Sequence, residues 1–141
     1  MYRTRSVLGA FSLFLASSSV ALAATTSCPA VSSITQTPSG DGFAYTAKVD
    51  GIQWKGEHPR ATSDMIKDLK FDVAYLLAKQ GMVACEYRAD PKFGGGLRMV
   101  VTRAKSLRAS DQWAPETQPG GNVLPRCSAA DPTQCRFDIA K

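Results

Sequence analysis

The chain has 141 residues, a formal net charge of +5 and 21% charged residues. This length suits one domain, and the basic residues are scattered rather than gathered into the patch expected of a nucleic-acid-binding protein. We therefore exclude nucleic acid as a partner, and no stretch beyond the N-terminal segment is apolar and long enough to span a membrane.

The N-terminal segment has the three zones of a secretory signal peptide. Arg3 and Arg5 form a basic start, and an apolar run rich in small residues follows. Ala21 and Ala23 occupy the positions where signal peptidase accepts only small side chains. The pattern predicts cleavage immediately before Ala24.

Cleavage leaves a single exported domain. The signal peptide spans 1–23 and the domain spans 24–141, which we place in the periplasm or outside the cell. Four cysteines remain in a compartment where thiols pair. Zinc sites use cysteines two to four residues apart or combined with histidines, whereas these cysteines are farther apart and His58 is the sole histidine. We expect structural disulfides, no metal and no cofactor.

The spacing of the cysteines favours one pairing of the three that four cysteines allow. Cys127 and Cys135 flank the short loop SAADPTQ, in which Asp-Pro is a turn signal that brings its ends together. By elimination, Cys28 then pairs with Cys85.

Residues 31–56 predict an antiparallel meander. Along FAYTAKV the alternate apolar residues share one face: Phe43, Tyr45, Ala47 and Val49. Asp50-Gly51 is a strong hairpin signal, and Ile52 and Trp54 resume the alternation on the next strand.

Residues 61–80 have two interpretations. A long helix over 62–80, capped by Ser63 and ended by Gly81, would place five apolar residues on one face: Ile66, Leu69, Val73, Leu76 and Leu77. Alternatively, a short helix ends near Leu69, and FDVAYLLA is a strand that turns into MVACEYRA.

The second half of the chain predicts two clear strands and a loop. MVACEYRA (82–89) and LRMVVTRA (97–104) are rich in strand-forming residues, and the glycines between them suit a hairpin loop. Residues 105–125 show no period and contain five breaking residues, so they predict a long irregular loop: Pro115, Pro119, Gly120, Gly121 and Pro125. CRFDIA closes the chain as a strand.

The long loop is the candidate binding loop, because loops of this length in compact domains tend to be functional or disordered. Its candidate binding residues are Leu107, Arg108 and Trp113. Trp113 either packs onto the sheet or stands exposed as an aromatic anchor for a partner.

These landmarks together resemble a known family. A signal peptide precedes Cys28-Pro29, FAYTA and WKGE follow, CEY contains Cys85, and seven residues separate Cys127 from Cys135 before Arg136-Phe137. The pattern resembles a family of small exported Gram-negative bacterial proteins catalogued as a domain of unknown function. The resemblance implies no catalytic residues. It implies that the segment before CEY is half of a hairpin, which favours the short helix followed by a strand.

We therefore predict a β-rich α+β fold. It has an antiparallel sheet or sandwich, one helix in the 61–80 region and two disulfides. The alternative is a single long helix over 62–80 packed on a smaller antiparallel sheet.

No group of residues forms a recognisable catalytic cluster. His58 would have to serve any triad, but on a strand its neighbour Glu57 points the other way. Asp64 and Asp68 share a helix face, where a position near the helix start explains their charge without a catalytic role.

The functional prediction is a non-enzymatic exported protein that binds an unknown macromolecule, as an envelope or host-interaction module. One alternative is a small periplasmic hydrolase or inhibitor-like protein that uses His58 or a carboxylate pair. The other is a structural protein associated with the envelope. The oligomeric state is left open.

Overall fold

The structure, a computed structural model, describes residues 23–102, 107–109 and 112–140. Ala21 and nearly all of the predicted signal peptide lie outside the described residues, so the cleavage site stays a prediction. Within those three ranges, no helix is both long and apolar enough to cross a membrane.

Strands make up most of the regular structure in the described chain. In chain order they are β1 (Ala23–Ser27), β2 (Thr35–Ser39), β3 (Gly42–Val49), β4 (Ile52–His58), β5 (Lys70–Leu77), β6 (Met82–Arg88), β7 (Gly96–Thr102), β8 (Leu107–Ala109), β9 (Ala114–Thr117), β10 (Val123–Cys127) and β11 (Arg136–Ala140). One α-helical turn, α1 (Met65–Asp68), precedes β5. Short 3₁₀ turns cover Val31–Ser33, Ala78–Gln80, Pro91–Phe93 and Pro132–Gln134.

The strands form two antiparallel sheets. The large sheet has the order β2-β3-β4-β7-β6-β5-β10-β9, and the small sheet has the order β1-β11-β8. The small sheet packs on the large one, where the ring of Phe137 on β11 meets Trp54 on β4 edge to face at 6.0 Å. A β-rich fold with antiparallel sheets is therefore confirmed, whereas one helical turn among the described residues does not support the α+β label.

The predicted meander is present with its expected buried face. Tyr45 and Trp54 are fully buried, and β3 pairs with β4 from Val49↔Ile52 outward. Asp50 and Gly51 both have positive φ, 49° and 79°. That combination is what a two-residue hairpin turn requires, so the Asp-Gly signal predicted the turn correctly.

The alternative long helix over 62–80 is wrong. The helix ends at Asp68, and β5 pairs with β6 along its length. A register shift between Phe71 and Val73 marks a β-bulge. Because a bulge inserts one extra residue, the inward positions shift by one residue along β5. This shift produced the helix-like spacing of apolar residues.

The prediction of an irregular loop over 105–125 is also wrong where the structure describes those residues. β8 and β9 form there, and β10 begins at Val123. Pro115 and Pro125 lie directly opposite each other in the β9–β10 pair. Pro115 lies on the edge strand β9, where proline is tolerated, and Pro125 lies on β10 just where its pairing with β5 stops. Neither proline therefore prevents strand formation.

Both disulfides are present in the predicted pairing. The Cα atoms of Cys28 and Cys85 are 5.9 Å apart, and those of Cys127 and Cys135 are 5.7 Å apart. All four cysteines are buried. The protein is therefore stabilised by two bridges inside its core, a feature compatible with an exported chain.

Candidate functional site

The predicted binding residues Trp113, Leu107 and Arg108 lie at the small sheet. Trp113 Nε1–H donates to the carbonyl of Arg136 at 2.7 Å, and its ring meets Phe137 edge to face at 6.2 Å. The backbone of Leu107 and Arg108 pairs with β11. Trp113 is thus packed and hydrogen-bonded, as the first of its two interpretations expected. A binding role for the three residues stays a prediction.

His58, the predicted catalytic alternative, lies at the end of β4. Its Nδ1 accepts a hydrogen bond from the backbone N–H of Arg60 at 3.2 Å. With Ser39, Phe43 and Glu57 it borders a small pocket of about 150 Å³. Among the described residues, no side-chain carboxylate or hydroxyl group is hydrogen-bonded to His58.

The two aspartates at the helical turn are engaged separately. Asp64 forms an ion pair with Lys67 at 2.7 Å, and Asp68 Oδ2 accepts a hydrogen bond from the backbone N–H of Asp90 at 2.6 Å. They therefore brace the turn and the neighbouring loop. Within the described ranges, no group of three or more His, Cys, Asp or Glu residues could hold a metal ion.

The structure has a groove between β5 and β10, with a volume of about 350 Å³. It is lined by the end of β5, the 3₁₀ turn Ala78–Gln80 and the β9–β10 hairpin. We call this site the wedge groove. Its walls are mainly apolar: Leu76, Leu77, Ala78, Val123, Leu124 and Pro125.

The wedge groove exists because two strands pair and then separate. β10 pairs with β5 only at Cys127↔Ala74 and Arg126↔Tyr75. The next pair in register would join Pro125 to Leu76, but proline has no N–H to donate to a ladder. The ladder stops there, and the two strands separate.

The register of the β9–β10 hairpin shows which backbone groups face the groove. Gln118 N–H donates to the carbonyl of Asn122 at 2.7 Å, which closes the hairpin. Counting from this pair, the alternation of an antiparallel ladder directs the backbone groups of Val123 and Pro125 away from β9 and toward β5. By the same alternation, the carbonyl of Leu76 faces β10 and receives no proton from Pro125.

The polar lining of the wedge groove is rich in hydrogen-bond donors. Four polar residues line it: Lys79, Gln80, Gln118 and Asn122. The side-chain nitrogen of Gln118 is buried and has no hydrogen-bond partner among the described residues. Lys79 is exposed and is the one charged residue of the lining. Val123, at the rim, is an exposed apolar side chain with 58% of its surface accessible.

An ion pair beside the groove supports the hairpin. Arg126 Nε lies 2.7 Å from Glu116 Oε2, and both side chains are 38% exposed. Because Arg126 pairs with Ala114 and Leu124 with Glu116, the ion pair crosses from β10 to β9. It reinforces the pairing of the edge strand β9 with β10.

Sequence reasoning missed this groove as a unit. It named Leu76 and Leu77 as apolar positions and assigned 118–125 to a loop, but nothing connected the two segments. The available signal was Pro125 directly after Val123-Leu124. A proline that follows apolar strand residues marks a point where a ladder cannot continue.

The fold and the groove define an antiparallel β-protein that is stabilised by two disulfides and has a groove between β5 and β10 of its larger sheet. The chain belongs to the family described as a protein of unknown function, DUF3757, which matches residues 22–138. This match confirms the resemblance drawn from the sequence landmarks. No curated protein and no solved structure matches the chain.

Proposed function

We propose that the protein is a non-enzymatic exported binding module that holds an extended segment of a partner polypeptide in the wedge groove. The observation that carries this proposal is the interrupted ladder between β5 and β10. It leaves an apolar groove bordered on both sides by strand backbone.

An extended polypeptide is the ligand that uses both features of the groove. Strand addition supplies main-chain hydrogen bonds, and pockets for alternate side chains supply selectivity. The carbonyl of Leu76 would accept a peptide N–H, and the backbone of Val123 offers both a donor and an acceptor. The apolar walls would take a side chain from the same segment. A ligand without an amide backbone would leave these groups unpaired.

The proposal is tested with a defined library of random extended peptides displayed on phage. Selection on the disulfide-bonded protein should enrich peptides that shift the amide NMR signals of 76–80 and 118–125. Val123→Glu should weaken the enriched peptides about tenfold or more, because it places a charge at the apolar rim.

The matched control is Thr46→Glu, which adds the same charge at an exposed position of β3, several strands away. This variant should bind the peptides as the wild type does. The proposal fails if selection enriches nothing over an unrelated disulfide-bonded protein, or if the two variants lose affinity equally.

A further inference from the structure

We infer that the wedge groove recognises the free C-terminal end of a partner polypeptide whose last residue is apolar. This inference rests on the proposed function and specifies its ligand. It follows from three features of the groove: its closed apex, its small volume and the sign of its charge.

The apex of the groove is closed. Beyond Pro125 the strands rejoin at Arg126↔Tyr75 and Cys127↔Ala74, and Cys127 is buried and bridged to Cys135. A polypeptide that enters between the strands cannot continue through this end. The geometry therefore suits an apolar side chain inserted toward Leu76 and Pro125, with the main chain of its residue at the open end of the groove.

The volume is also that of a site for a chain end. At about 350 Å³, the groove lies at the lower end of the range of ligand sites, roughly 300–1,000 Å³. A terminal apolar residue and part of the preceding one fill such a space.

The charge of the lining selects a carboxylate over an ammonium group. Lys79 supplies a cation where the groove opens, and Gln118 Nε2 supplies a buried donor that has no partner among the described residues. No Asp or Glu lines the groove, and the neighbouring Glu116 is held by Arg126 at 2.7 Å. A terminal carboxylate would accept from Gln118 and pair with Lys79, whereas an N-terminal ammonium would be repelled by Lys79 and would find no carboxylate in the lining.

The experiment uses two peptide arrays in which the last two positions are varied through all residues. One array ends in free carboxylates and the other in carboxamides. On the wild-type protein, the strongest signals should come from free acids that end in Leu, Ile, Val or Phe. Each acid should bind about tenfold or more tightly than its amide, since a hydrogen bond to a charged group contributes about 1.5–3 kcal/mol.

Two groove variants and one control locate the recognition. Lys79→Gln and Gln118→Leu should each weaken the free acids more than the amides and so reduce the acid-to-amide ratio severalfold. Lys48→Gln removes the same charge from an exposed position on β3 and should keep the full ratio. A ratio unchanged in both groove variants would overturn the inference.

The outcomes separate this inference from the proposed function. Equal binding of acids and amides overturns C-terminal recognition but leaves a peptide-binding groove in place. If no peptide of either array binds, both proposals fall. Dodecanoate serves as a third probe, and a fatty acid that binds in a Lys79-dependent manner while all peptides fail would make this a site for an acyl carboxylate and overturn the inference.

Discussion

Two buried tyrosines show how differently the same residue type is accommodated in this core. The hydroxyl of Tyr87 donates to the carbonyl of Pro29 at 2.6 Å. The hydroxyl of Tyr45 is buried without a hydrogen-bond partner among the described residues. Burial raises the pKa of both phenols. A buried polar group that makes no hydrogen bond lowers stability, so the two hydroxyls contribute with opposite sign.

Removing each hydroxyl should therefore have opposite effects on the free energy of unfolding. Tyr87→Phe leaves the carbonyl of Pro29 without its donor and should lower the free energy of unfolding by about 1–3 kcal/mol. Tyr45→Phe removes an unpaired hydroxyl and should leave the free energy of unfolding unchanged or raise it. Urea unfolding of the two disulfide-bonded variants measures both values. Equal losses in the two variants would mean that the Tyr45 hydroxyl has a partner, such as a bound water.

The raised pKa values also predict a loss of stability at alkaline pH. A tyrosine in the unfolded chain ionises near pH 10, whereas burial keeps Tyr87 and Tyr45 protonated in the folded protein. Below about pH 10 both tyrosines are protonated in the folded and unfolded states, and their ionisation does not affect stability. As the pH rises further the free energy of unfolding declines, because only the unfolded state releases the proton. Urea unfolding between pH 8 and 11 should show this decline, and Tyr87→Phe should make it shallower. An unchanged slope in that variant would contradict the assignment.

Trp113 belongs to the body of the protein through one hydrogen bond and one ring contact. Trp113→Ala should lower the free energy of unfolding by about 2 kcal/mol, below the 3–5 kcal/mol typical of fully buried tryptophans, because the side chain is only half-buried. Trp113→Phe keeps a ring against Phe137 and should lower the free energy of unfolding by less, since only the hydrogen bond to the Arg136 carbonyl is removed. A Trp113→Ala variant with the stability of the wild type would restore the exposed-anchor interpretation.

Pro125 determines whether β10 pairs with β5 along the wedge groove or leaves the groove open. It lies where its N–H would have pointed at Leu76, whereas the ladder alternation directs the corresponding position of Pro115 away from β10 toward the open edge of the sheet. The two prolines face each other across β9 and β10, yet only one of them interrupts a ladder inside the sheet. They therefore form a matched pair for substitution.

Pro125→Val should extend the ladder and close the groove. The new N–H gains a hydrogen bond worth about 1 kcal/mol, but replacing proline raises the entropy of the unfolded chain by a similar amount. We therefore expect little change in overall stability. The sensitive measurements are slow hydrogen exchange at residue 125 and loss of peptide binding. Pro115→Val should show neither, and rapid exchange at residue 125 in Pro125→Val would contradict this account.

The elements that sequence could predict are those set by local patterns. The alternation of apolar and polar residues along β3 correctly predicted that Tyr45 is buried. The turn at Asp50-Gly51 could be predicted because it depends only on those two residues. The strand over Lys70–Leu77 was obscured by a bulge, whose presence depends on pairing with β6. The wedge groove lies beside the pairing of Tyr75 with Arg126, two residues far apart along the chain. Its shape depends on where their pairing stops, which no local pattern reports.

Both disulfides join the small sheet to the large one. Cys28 directly follows β1 and is bridged to Cys85 in β6, and Cys127 ends β10 and is bridged to Cys135 just before β11. Two of the three strands of the small sheet are thus fastened to the large sheet. The apolar contact between the sheets includes the Trp54–Phe137 ring pair.

The two bridges should contribute unequally to stability. In the chain-entropy model the loop between Cys28 and Cys85, with a separation of 57 residues, is worth about 4 kcal/mol, and the loop between Cys127 and Cys135, with a separation of 8, about 2.5 kcal/mol. Replacing each pair by alanine and measuring urea unfolding should show the larger loss for Cys28→Ala with Cys85→Ala.

Loss of both bridges should release the small sheet before the large sheet unfolds. The large sheet keeps its ladders from β2 to β6, whereas the small sheet would be held only by its apolar contact and a few hydrogen bonds such as Thr26 to the Val49 carbonyl. Under mild denaturant, the amides of β11 should exchange earlier than those of β6, and acrylamide should quench Trp54 more readily in a Trp113→Phe background. If β11 and β6 lose protection together, the two sheets form one cooperative unit, and the bridges stabilise the whole fold rather than the attachment of the small sheet.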